Sequence, residues 1–130
     1  MVGVDGKKSK VYNLEERTAN FAEKIIEFCK SISQNPITIP LINQIIKSGT
    51  SQAANYYEAN EAESPKDFAH KVNIAKKEVK ETKLWLRLIA DAHEPAKENA
   101  RVLWKEAHEL NLIFASIVSK TKSNLKIENS

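Results

Sequence analysis

Two stretches of this chain return to an apolar or small residue at gaps of four and three without a break. The first is Phe68, Val72, Ala75, Val79, Thr82, Leu86 and Ile89. The second is Ala96, Ala100, Leu103, Ala107, Leu110, Phe114 and Ile117. That spacing places each series on one seam of an α-helix and leaves the remaining surface polar. Such a helix must bury its seam against a partner, and several in one chain pack as a bundle.

The rest of the chain supplies the partners. Asn13 is an N-cap with Glu16 three residues on, and a helix follows to about Ser33. Its stripe is Leu14, Thr18, Phe21, Ile25, Phe28 and Ile32. Pro36 and Pro40 fit the connection that ends it, and Pro40 suits the first turn of a second helix reaching about Ala62. The inner face of that helix reads Ile42, Ile45, Gly49, Ala53, Tyr56 and Asn60. Gly49 and Ala53 admit a close neighbour, although glycine costs a helix about 1 kcal/mol. Ser64, Pro65 and Asp67 make a strong helix start, so the link before the third helix is very short and forces a hairpin. The third helix ends near Asp91. Pro95 opens the fourth, which fades near Lys120. The predicted fold is all-α: an antiparallel up-down-up-down four-helix bundle over residues 13–120. Flexible tails are expected over 1–12 and 121–130.

At 130 residues the chain is sized for one domain with a single core. A composition of 42% hydrophobic and 28% charged residues is that of a globular protein, and a net charge of +3 neither demands nor excludes a nucleic-acid partner. Cys29 stands alone, so no intrachain disulfide forms. No apolar run approaches the roughly 18 residues of a membrane span, and the amino terminus has no apolar leader. The expectation is a cytoplasmic protein that does not touch membranes.

The apolar residues outnumber the seams. Tyr57, Trp85 and Trp104 lie outside strict seam positions. They read either as a wide core face or as anchors of a subunit interface, where aromatic residues are favoured. Charge is uneven too. The third helix carries seven Lys and Arg against four acids, and Lys66, Lys76, Lys77, Lys80, Lys83 and Arg87 are candidate contacts for phosphate backbones. A solvated face explains the same pattern. No aromatic residues interleave these lysines as a single-strand stacking surface would want. Ser48, Ser51, Asn55 and Glu58 recur at gaps of three, four and three. Across the hairpin Glu58 is expected to pair with Lys71, so Ser48, Asn55, Glu58 and Lys71 form a candidate polar network that fixes register. A small-ligand patch is the alternative.

Catalytic chemistry has no visible set of residues. The histidines, His70, His93 and His108, do not form the paired Glu-x-x-His motifs of a di-iron bundle, and the glycines are scattered. No cofactor, metal or catalytic residue is expected.

The segments SGTSQAANYYEANEAESPKDFAHK, from Ser48 to Lys71, and KEVKETKLWLRLI, from Lys77 to Ile89, together resemble a known family. Its members are bacterial four-helix bundles encoded in intervening sequences of large-subunit ribosomal RNA genes. The resemblance is strong over the middle two helices, looser over the first, and mainly one of period over the fourth. It implies a homopentamer, and kinship with the pentameric accessory proteins of diversity-generating retroelements, which bind nucleic acid and a reverse transcriptase. It implies no reaction. Two function classes follow: a non-enzymatic oligomer that binds RNA or DNA weakly through its third helix, or an adaptor that recruits a larger protein through exposed aromatic surface.

Overall fold

The computed structural model describes residues 13–128. The tail expected over residues 1–12 lies outside them. Four helices follow one another: α1 Leu14–Lys30, α2 Thr38–Ala59, α3 Pro65–Ala92 and α4 Lys97–Glu128, the last entered through a 3₁₀ turn at Glu94–Ala96. Each packs on the next in sequence, and α1 closes the ring against α4. The result is the antiparallel four-helix bundle that the periodicity calls for.

Local chemistry sets the helix ends. Asn13 Oδ1 accepts from the Glu16 amide at 3.1 Å, and Ser64 Oγ accepts from the Asp67 amide at 3.1 Å with Pro65 in the first position. The α1–α2 link differs from expectation. α1 stops at Lys30 and α2 begins at Thr38, ahead of Pro40. Asn35 Oδ1 accepts from the amides of Ile37 and Thr38, both at 2.9 Å, and Thr38 Oγ1 donates to the Ser33 carbonyl at 2.7 Å. This side-chain turn starts the helix two residues before the proline, which then sits harmlessly in the first turn. α2 stops at Ala59, short of Ala62. α4 does not end near Lys120 but continues as helix to Glu128.

The seams are the core. Phe21, Ile25, Ile45, Val72, Val79, Leu86, Leu110 and Phe114 are all essentially inaccessible to water. Tyr56 and Phe114 stack across the interior with ring centroids 5.7 Å apart. Three departures stand out, the first at the start of α3, where Ala69 is buried and Phe68 only partly. Asn60 is exposed at the end of α2, where its amide donates to Glu15 at 2.7 Å. Near the end of α4 the seam shifts by one residue, so Val118 is buried and Ile117 only partly. At Gly49 the backbone lies against Ile25: a Cβ built there would come within 3.0 Å of Ile25 Cγ2.

Candidate nucleic-acid interface

α3 divides its charge between two sides. Three of its four acids, Asp67, Glu78 and Glu81, lie toward α2 or the hairpin, and the fourth, Asp91, follows Arg87 by four residues and shares a groove with it. Asp67 lines a cleft of about 820 Å³ with Glu58, Glu61, Glu63, Lys71 and Tyr57. Glu81 accepts from the Trp85 indole at 3.0 Å. Burial pushes the Glu78 carboxyl up, the charge of Glu81 adds to that, and Lys47 on α2 opposes it. Apart from Lys71, which pairs with Glu58 of α2, the bases turn the other way. Lys66, His70, Asn73, Lys77, Lys80, Leu84 and Arg87 follow one another at gaps of four and three, and Lys66, Lys77, Lys80 and Arg87 are exposed. Lys76 and Lys83 are half-buried beside α4.

α4 continues this surface. Between the start of α3 and the end of α4 runs a groove of about 950 Å³, lined by Lys66, His70, Asn73, Ser119, Lys122 and Lys126 among others, without a carboxylate in its lining. At the opposite end a second groove of about 1040 Å³ brings Arg87 beside Lys97, Arg101, Trp104 and Lys105. Between the two, Asn111 Nδ2 donates to the Lys76 carbonyl at 3.1 Å and Lys83 Nζ donates to His108 Nδ1 at 3.0 Å. Periodicity alone could not show this contribution from α4. Lys97, Arg101, Lys105, Lys122 and Lys126 join the face only once the side on which α4 packs is known.

The three aromatic interface candidates separate. Trp85 is half-buried and packs against the core. Trp104 is 38% exposed, stacks on His108 with centroids 5.2 Å apart, and carries Lys83 Nζ 4.6 Å from its ring centre. Tyr57 is exposed on α2, on a stripe with Ile39 and Ile46, and also borders the hairpin cleft beside Glu58 and Lys71.

The polar cluster resolves into three separate contacts rather than one network. Lys71 Nζ donates to Glu58 Oε1 at 2.8 Å, and this contact raises the Lys71 ammonium above its ordinary value. Ser48 is separate: its hydroxyl pairs with Thr82 at 2.8 Å inside the bundle. Asn55 turns back on its own helix and donates to the Ser51 carbonyl at 2.9 Å. Ser48 is seven residues from Asn55 and ten from Glu58, and its rotation about α2 points it inward while Glu58 points out.

Sequence reasoning missed the strongest link across the ring. Arg17 donates to both oxygens of Glu106 at 2.8 Å and to Glu109 at 2.8 Å, joining α1 to α4. The Glu106 hydrogen bonds raise the guanidinium above its ordinary value. It missed Gln52 as well, which is fully buried and donates to the carbonyls of Thr18 and Gly49 at 2.8 and 3.0 Å. Cys29 is buried, and desolvation pushes its thiol up to about 11, which suits packing and not nucleophilic attack. Among the described residues no cluster of His, Cys, Asp or Glu is arranged to hold a metal, and no helix is long and apolar enough to cross a membrane.

Comparison with curated proteins gives no match. A crystal structure from Bacteroides thetaiotaomicron, described as a protein with unknown function from the S23 ribosomal protein family, is 31% identical. The match covers 80% of this chain and 96% of that one, with a TM-score of 0.71. Residues 8–116 match the model of the 23S rRNA-intervening sequence protein family, and the chain belongs to that family.

Proposed function

We propose that this bundle binds structured nucleic acid, RNA foremost, through the face shared by α3 and α4. One observation carries the reading: three of the four acids of α3 are turned toward α2 and the hairpin and Asp91 alone lies among the bases, while Lys66 shares a groove free of carboxylates with Lys122 and Lys126 of α4 and Lys77, Lys80 and Arg87 extend the same exposed stripe. An ordinary solvated helix has no need to separate its charges by side. A polyanion does need them separated, because a carboxylate beside each lysine would cancel the field that draws in phosphates. The family's name, which ties it to ribosomal RNA, agrees with RNA as the first ligand to test. The role is binding without catalysis.

Self-association is a second reading, supported by a different surface. Ile39, Ile46 and Tyr57 are 43%, 36% and 44% exposed on one stripe of α2, and Ile26 of α1 is 37% exposed. A homo-oligomer, a pentamer by resemblance, would cover this stripe and repeat the basic face around a ring. Recruitment of a larger protein would use the same stripe.

The binding test uses a labelled RNA duplex at low salt. Lys77, Lys80 and Arg87 changed together to Glu should weaken binding at least tenfold. A control with the same change in charge, Lys24, Lys30 and Lys120 to Glu, lies outside the grooves and should stay within about threefold of wild type. Equal losses in the two triples would show that only net charge matters and would end the assignment to this face.

A further inference from the structure

Trp104 is the one large aromatic side chain in the lining of the basic grooves, and it is partly covered by two neighbours. The His108 ring lies nearly parallel to the indole, at 12°. An imidazole nitrogen accepts a hydrogen bond in the plane of its ring, so Lys83, bonded to His108 Nδ1 and 4.6 Å from the indole centre, lies on the same side as His108. Both partners therefore occupy one face of Trp104. His108 is one turn toward the C-terminus of α4. The indole leans back toward the turn of Ala100, which is itself buried, and 38% of Trp104 stays exposed.

The exposed part of the indole borders the groove of about 1040 Å³. Ala90 and Ala100 line the groove, and as the smallest side chains with a Cβ they leave space between α3 and α4 beside the indole. Arg87 and Arg101 stand at its sides, Arg101 donating to Glu98 at 3.0 Å on the exposed surface of α4. Asp91 and Glu94 lie among its lining too, where they repel phosphate but can accept hydrogen bonds from the amino groups on a base edge. A flat ring with donor edges and anionic neighbours fits this set. A duplex with every base stacked inside does not use it.

We propose that this groove takes one unpaired nucleobase against the exposed indole of Trp104, with one flanking phosphate held by Arg87 and another drawing Arg101 from its exposed partner Glu98. The proposal rests on the nucleic-acid reading above and narrows its ligand to RNA whose helix carries an unpaired nucleotide. Lysine stripe and aromatic ring, which periodicity kept on separate helices, then form one surface: phosphates run along α3 and the base turns in beside α4. Stacking on an aromatic face is largely blind to base identity, so preference among bases comes from the two carboxylates and favours amino-bearing bases over uracil.

The test uses the full chain and three RNA duplexes: one fully paired, one with a single bulged adenosine, and one with an abasic residue in the same bulge. The abasic duplex keeps the bend and the phosphates and lacks only the ring. By fluorescence anisotropy the adenosine bulge should bind on the order of tenfold tighter than the abasic bulge, the weight of one base on an aromatic ring. Trp104→Ala should erase that difference and leave the fully paired duplex within about twofold, whereas Trp104→Phe should keep most of it. Should Trp104→Ala fail to fold, a Trp85→Phe variant leaves Trp104 as the sole indole. Its fluorescence should then be quenched by the adenosine bulge and not by the abasic one. Equal affinity for the two bulges, with the Lys77/Lys80/Arg87 triple still weakening both, would overturn this proposal and spare the interface. Loss of all binding to wild type would remove both. Dissociation of an oligomer by Trp104→Ala would make the indole a contact between copies and overturn the proposal as well.

Discussion

Gln52 shows how a single residue can be buried for shape rather than for polarity. Its side chain is fully enclosed, its amide nitrogen donates twice, and its Oε1 has no partner. The two carbonyls it bonds, of Thr18 and Gly49, lie within α1 and α2 and also accept from the helix amides four residues on. Removing the amide therefore orphans neither carbonyl and relieves one unpaired acceptor. Gln52→Met, which keeps the length, should match wild type or gain up to about 1 kcal/mol in urea unfolding. A loss above about 2 kcal/mol would mean that the amide bonds, not the volume, hold the site. The sequence gives no warning of this residue, because a glutamine between Ser51 and Ala53 looks like surface. Only the depth to which α1 settles on α2 decides otherwise. Residues whose fate depends on local pattern alone, such as Phe21, Ile25, Val72 and Leu110, were legible at once.

That depth is a property of the elements, and Gly49 sets it. A methyl group there would meet three atoms of Ile25, at 3.0, 3.1 and 3.3 Å. Ile25 is fully buried and branched at Cβ, so it has few rotamers with which to retreat. Alanine would gain about 1 kcal/mol in helix propensity and lose about 1–3 to overpacking. Gly49→Ala should accordingly lower stability by about 1 kcal/mol, and a gain on substitution would show that the close approach of α1 is incidental. Element positions in the sequence were readable wherever a cap and a period coincided, as at Ser64-Pro65 before Phe68. They were misread by a few residues where side-chain turns intervene, as with Asn35 and Thr38. Register between elements was legible only across the short α2–α3 hairpin, where Glu58 does reach Lys71. The α3–α4 register, which sets Lys83 beside Trp104 and aligns Arg87 with Arg101, has no such short-range signal.

At the scale of the molecule, two surfaces need partners. The apolar stripe of Ile39, Ile46 and Tyr57 predicts self-association. Light scattering should give a multiple of the 14.7 kDa chain mass, five-fold if the resemblance extends to assembly, and Ile46→Asp with Tyr57→Asp should reduce it to one chain. A monomeric wild type would contradict this and leave the stripe for another protein. The basic face of α3 and α4 is the larger claim, and its physical signature is salt. Each phosphate neutralised contributes about 0.9 to the slope of log affinity against log salt for a duplex. The decisive measurement is that slope for an RNA duplex with wild type and with the Lys77/Lys80/Arg87 to Glu triple. The prediction is a steep negative slope that becomes shallower by about 2 to 3 in the triple. Identical slopes for the two proteins would show that phosphates do not sit on this face.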